Sequence, residues 1–175
     1  MMRGLRTALA IALAVPLLGS AEPVPVADPP PAAEKPVERK FFIETADDSA
    51  MLEAELAKAK AAGKLAVIVF GADWCHDSRS LAKVLTSPAF TTEFGARFAV
   101  IFVDVGVPQA GQGRNLDLVG HYGVKKMKST PALFVVSPKG KRLNSADDAV
   151  SWRNGDSRSA EDVLGWFRKL AAKQG

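Results

Sequence analysis

The chain has 175 residues, 47% of them hydrophobic and 24% charged, with a formal net charge of +4. That length and balance fit one globular domain plus appendages. The charge excess is small and no long basic stripe interleaved with aromatics accompanies it, which argues against nucleic acid as a partner.

Arg3 and Arg6 precede an uncharged apolar run from Ala8 to Leu18, followed by Gly19-Ser20-Ala21. A basic start, a short apolar stretch and small residues describe a secretory signal over 1–21, with cleavage expected after Ala21. The run is short for a bilayer span, which favours a signal over an uncleaved anchor. No cysteine follows it to carry a lipid. The expected product is exported, periplasmic or extracellular, with no stable membrane insertion after cleavage. Residues 22–40 hold Pro23, Pro25, Pro29, Pro30, Pro31 and Pro36 and read as an extended, polyproline-like tether. The folded domain is expected over 41–175.

Phe41-Phe42-Ile43 is a short strand candidate. Asp48 or Ser49 caps a helix that ends at Gly63 and turns Leu52, Leu56 and Ala59 inward. Residues 64–70 are apolar after Lys64, with the β-branched Val67, Ile68 and Val69 at consecutive positions, as a strand buried on both faces requires. A helix begins at Cys75, repeats Leu81, Val84 and Leu85 on one side, and stops at Ser87-Pro88. Residues 98–105 and 132–136 read as further buried strands, and Gly111-Gln112-Gly113 as a flexible loop. Ser137-Pro138-Lys139-Gly140 is a turn into a short edge strand. Ser159-Ala160-Glu161-Asp162 is a capping box, after which Val163, Trp166, Phe167, Leu170 and Ala171 form one apolar helix face. Alternating strands and helices predict an α/β domain with a central mixed sheet flanked by helices.

Cys75 is the only cysteine of the chain, and it stands where a strand gives way to a helix. The thiolate is the reactive form of a cysteine, and a helix N-terminus favours negative charge, so this position is expected to lower the thiol pKa. An exported chain with one cysteine has no internal disulfide, which points to a reactive thiol or an intermolecular bond. Ser78, three residues on, is expected either to donate its hydroxyl to the sulfur or to be a tolerated surface serine. His76 either tunes the thiol when protonated or is an exposed turn residue, and Asp77 opposes the thiolate by like charge. His121 reads as a surface or packing histidine with no role as a base. One cysteine and two ill-placed histidines make no metal site.

Gly71-Ala72-Asp73-Trp74-Cys75 after a strand, with Thr130-Pro131 before another, resembles the thioredoxin-like superfamily over residues 41–173. The chain looks like an atypical, single-cysteine member with Cys-x-x-Ser in place of a two-cysteine pair. The resemblance implies a thioredoxin-like fold in which Pro131, in the cis form, faces Cys75 and Trp74 covers the thiol. It makes Cys75 and Ser78 the expected catalytic pair, and Trp74, His76, Thr130 and Pro131 the expected substrate contacts. Val69 stands where many members carry a buried acid, a loss consistent with the missing second cysteine. The implied chemistry is exchange through one sulfur, as isomerisation or deglutathionylation, with protein thiols or disulfides as partners. Glutathione fits as a co-substrate and no bound cofactor is expected. Lys125, Lys126 and Lys128 either hold carboxylates of such a substrate or form a solvated surface. Two rival readings remain: a non-catalytic binding or chaperone-like module, and a covalent homodimer through Cys75.

Overall fold

A computed structural model describes residues 39–173 of the chain. The expected signal at 1–21 and nearly all of the tether at 22–40 lie outside the described residues. Phe41-Phe42-Ile43 forms no strand. Its amides are satisfied by a side chain instead: Phe41 N–H donates to both oxygens of Asp73 at 3.0 and 3.2 Å, and Phe42 N–H to Oδ2 at 3.2 Å. A carboxylate takes the donors that a neighbouring strand would otherwise have to pair.

The first helix, α1, spans Asp48–Ala61, and Asp47, one residue earlier than expected, caps it by accepting from Ala50 N–H at 2.9 Å. Leu52 and Ala59 are buried and Leu56 half-buried. Gly63, at φ +67°, takes the left-handed conformation that turns the chain into the next strand. Strand β1, Leu65–Gly71, is buried at every position. Helix α2 follows at His76–Leu85. Ser87-Pro88 ends α2 as expected, but the same pair opens a helix the sequence reading missed, α3 at Pro88–Phe94. Ser87 Oγ accepts from Phe90 N–H at 3.2 Å and proline takes the first helical position, where its lack of an N–H costs nothing.

Strand β2 spans Phe98–Asp104, then a hairpin of β3 (Gly106–Val107) and β4 (Gln112–Gly113) encloses a single 3-10 turn at Pro108–Ala110. Gly111-Gln112-Gly113 is thus the return limb of a hairpin rather than a loose loop, with Gly111 at φ +73° making the reversal. Helix α4 (Leu116–His121), strand β5 (Ala132–Val136), helix α5 (Ala146–Val150), a 3-10 segment (Ser151–Ser157) and helix α6 (Ala160–Ala172) complete the order. The main sheet runs β2-β1-β5, with β1 parallel to β2 and antiparallel to β5, the mixed sheet expected. The edge strand expected after Gly140 shrinks to one bridge, Val136 to Arg142. The Asn144 side chain covers the rest of that edge, accepting from Val135 N–H and donating to Leu133 O, both at 2.9 Å.

Alternate side chains of β1 and β5 enter opposite core layers. Val67, Val69, Leu133 and Val135 pack with Leu81, Phe90, Phe94, Trp152 and Phe167. Ile68, Phe70, Phe134 and Val136 pack with Leu52, Val119 and Ala149 on the other face. The capping box of α6 is present, Ser159 and Asp162 bonding reciprocally, and its inner face adds Leu164 to the residues expected. Phe167 is fully buried, with Phe90, Phe98 and Trp166 edge-on at 4.9, 5.2 and 4.9 Å. Phe167→Ala is expected to cost about 3–5 kcal/mol, measured by urea unfolding. A loss below about 1 kcal/mol would mean that the three rings collapse to fill the space. Among the described residues, no helix is long and apolar enough to cross a membrane.

Candidate functional site

At the end of β1 the chain turns through Ala72, Asp73 and Trp74, with Cys75 N–H returning to Ala72 O at 3.1 Å. Cys75 is the N-cap residue of α2, at φ −84° and ψ 120°. It therefore lies just outside the helix rather than in its first turn. The turn depends on Gly71, because a Cβ there would lie 2.7 Å from the Phe42 ring and 2.8 Å from Ser78 Oγ. Opposite, the Thr130–Pro131 peptide is cis, and Cys75 Sγ donates to Thr130 O at 3.5 Å. The fold thus brings Cys75, Thr130 and Pro131 together across 55 residues of sequence. Cys75 is only 6% exposed, whereas its neighbour Trp74 is 47% exposed and donates its indole N–H to Gly106 O at 2.9 Å. Thr130 Oγ1 is buried and has no hydrogen-bond partner among the described residues.

Ser78 departs from both expectations. It is fully buried, so it is no surface serine. Its Oγ accepts from Ala72 N–H at 3.4 Å instead of donating to the sulfur. The argument from helical spacing fails because the N-cap dihedrals of Cys75 take its side chain off the helical register. His76 is exposed and its Nδ1 lies 2.9 Å from Asp156 Oδ2, which ties it to the far 3-10 segment.

A family model described as thioredoxin-like matches residues 48–138. The chain belongs to the thioredoxin-like family. Among solved structures, it is similar to a disulphide isomerase from Xylella fastidiosa Temecula1 at 30% identity and TM-score 0.66, a match covering 76% of this chain and 98% of that one. It also matches the C-terminal domain of Neisseria meningitidis DsbD in the reduced form at 26% identity and TM-score 0.42, over 65% of this chain and 98% of that domain. Comparison with curated proteins finds no match.

In this thioredoxin-like protein the first turn of α2 is clasped by residues that sequence reading missed. Asp77 is buried, and its Oδ1 accepts from Asp156 N–H at 3.0 Å. The approach requires Gly155, where a Cβ would come within 2.9 Å of Asp77 O. Ligand atoms of His76, Asp77 and Asp156 lie within 4.8 Å of one another, a grouping the expectation of no metal site did not foresee. In this structure those atoms satisfy each other through the ion pair and the amide bond. Burial pushes the Asp77 carboxyl above its ordinary value, while the hydrogen bond from Asp77, and then His76, hold Asp156 below its own.

The folded protein therefore keeps a proton on Asp77 that the unfolded chain has already released, so Asp77 costs stability as pH rises through that interval. Asparagine offers an oxygen to the Asp156 N–H and an amide to its carboxylate without that cost. Asp77→Asn is expected to gain on the parent from about pH 4 to pH 7, read as the difference between the two melting temperatures. A difference constant across that range would mean that burial does not shift Asp77.

The other sequence candidates lie elsewhere. His121 is exposed, packs edge-on against Tyr122 at 5.2 Å, and shares a cleft with Ala66 at the start of β1, whereas Cys75 follows the strand's other end. Lys125, Lys126 and Lys128 are all exposed. Val69 is fully buried, paired with Leu133, so this place beneath the site is apolar. Asp73, which holds the entry of the domain beside Cys75, had only one sequence signal: an acid immediately before Trp-Cys in a strand-to-helix turn.

Proposed function

We propose that this protein catalyses thiol–disulfide exchange through Cys75 alone. The observation that carries this reading is the placement of the chain's sole thiol at the cap of α2, against the Thr130 carbonyl and the cis-Pro131 peptide, beside an exposed tryptophan. Membership of the thioredoxin-like family, and similarity to a protein described as a disulphide isomerase, support thiol–disulfide chemistry in general.

In the proposed step, Cys75 loses its proton and its sulfur attacks a substrate disulfide. One S–S bond forms as another breaks, and the departing thiolate takes up a proton. The mixed disulfide is then attacked by a second thiol, from the substrate or from glutathione, which restores Cys75 without net oxidation. Such a cycle suits isomerisation and deglutathionylation and needs no bound cofactor. Trp74, Thr130 and Pro131 would line the substrate groove, with His76 at its helix end. Ser78 would act by holding the Ala72 amide and so the turn that presents the sulfur. The exposed lysines before Thr130 would meet carboxylates of glutathione or of an acidic peptide. The signal-like N-terminus supports export to a compartment where disulfides persist.

The test is to incubate the mature protein with glutathione disulfide and weigh it. One adduct per chain, released by excess thiol, is expected; a chain that stays unmodified would refute the reading. The slight exposure of Cys75 favours a second reading, a binding or chaperone-like module that holds polypeptides on the Trp74 and Pro131 surface without turnover. That module would bind equally well after Cys75→Ser.

A further inference from the structure

Residues 105–115 leave the end of β2 as an excursion, and its polar contacts lead back to the loop that carries Cys75. The Asp104 carboxylate accepts from Gly106 N–H at 3.1 Å, and Gly106 O in turn receives the Trp74 indole N–H at 2.9 Å. Gly106 fits this double role because it sits at φ +61°, where a Cβ would lie 2.5 Å from Gln112 O. Arg114, on the return limb, donates to Asp104 Oδ2 at 3.3 Å and pairs with Glu44. Asn115 donates to Asp104 O at 2.8 Å and to Asp48 Oδ2 at 2.6 Å. The excursion is thus fixed at both ends to the end of β2, and its return limb also to Glu44 of the entry segment and to Asp48 at the start of α1.

We propose that Asp104 is a positioning residue for the exchange site: through Gly106 it fixes the Trp74 ring, and the hairpin with that ring forms the wall that admits extended polypeptide disulfides to Cys75. The proposal rests on the exchange reaction proposed above. Trp74 is half exposed, so little packing restrains it, and its indole bond orients the ring only while the acceptor stays in place. Remove the Asp104 carboxylate and Gly106 loses the partner of its N–H, Arg114 loses its inner anion, and the wall is free to shift. A small reagent needs no wall, whereas a polypeptide must be aligned along it. Misplacing a positioning group by about 1 Å can cost up to about a hundredfold.

The experiment compares the parent with Asp104→Ala, Asp104→Asn and Trp74→Phe. Two rates are read: alkylation of Cys75 by iodoacetamide, and exchange with a protein carrying scrambled disulfides. Asp104→Ala is expected to alkylate at the parent rate but to exchange with the protein substrate about tenfold more slowly, and to show stronger acrylamide quenching of Trp74 emission. That emission is isolated as the difference from Trp74→Phe. Asparagine, which retains an oxygen for Gly106 N–H, is expected to recover most of the loss. Trp74→Phe keeps a ring and removes the anchored N–H, so it should slow protein exchange even if the alanine variant does not fold. Parent-like protein exchange by Trp74→Phe, or an equal loss towards both reagents in Asp104→Ala, would overturn the proposal. Absence of exchange by the parent itself would defeat the reaction reading instead, and unchanged quenching in Asp104→Ala would then defeat the positioning of Trp74 separately.

Discussion

Cys75→Ser is expected to reduce thiol–disulfide exchange to the uncatalysed background while leaving the fold intact. The chain has no other sulfur nucleophile, because Cys75 is its sole cysteine. A serine hydroxyl stays protonated at neutral pH and does not attack a disulfide. Folding should not suffer, for a local reason. Cys75 occupies the N-cap of α2 without making a side-chain capping bond, and serine at an N-cap supplies one, typically worth about 0.5–2 kcal/mol over a non-capping residue. The measurement pairs recovery of a scrambled disulfide protein with the melting temperature of the variant. Recovery equal to that of the parent would sink the exchange reading and leave the binding module. Loss of recovery with full retention of polypeptide binding would show that the sulfur reacts and the surrounding surface holds.

The second large effect is expected from Ser78→Cys. In the parent, a mixed disulfide on Cys75 has no internal thiol to release it, so it persists until an outside thiol arrives. A cysteine at position 78 lies on the first turn of the helix that Cys75 caps, and it closes a disulfide only if its side chain turns from the Ala72 amide towards the sulfur. Attack from within the chain replaces a bimolecular step, and release should quicken by at least about a hundredfold without added thiol. The product would be an internal disulfide joining position 75 to position 78. Acid-quenched mass spectrometry follows the adduct directly. An adduct as long-lived as in the parent would mean that the side chain at 78 stays turned to the Ala72 amide, as the serine hydroxyl is, and does not swing towards the sulfur.

Much of the architecture was legible because its signals are local. Strand β5 coincides with the expected 132–136, and β1 with 64–70 to within one residue at each end. Both are apolar runs with β-branched side chains among them, Val67, Ile68 and Val69 in one and Val135 and Val136 in the other, that bury two faces at once. The capping box of α6 was readable as four consecutive residues. Failures came where one short pattern admits two outcomes. Ser87-Pro88 stops one helix and starts another, because proline forbids continuation but favours a first turn. Phe41-Phe42-Ile43 has strand composition, yet whether its amides meet a strand or a carboxylate depends on Asp73, more than thirty residues away. Ser78 was misread because helical spacing was applied across the helix boundary.

The sequence by itself determined an α/β domain and a single thiol at a strand-to-helix junction, since each is set by residue type and near-neighbour spacing, whereas the proline opposite that thiol was implied by the family resemblance that Thr130-Pro131 carries. Only the tertiary structure decided what surrounds that thiol. Asp73 on the entry segment, Asp156 on the first turn of α2, and Asp104 acting through Gly106 on Trp74 are all exposed or half-buried acids of ordinary appearance in the sequence. Asp73 and Asp104 accept from backbone N–H groups and Asp156 donates its own to Asp77; backbone groups carry no residue identity, so no pattern of side chains announces the contact before the chain has folded.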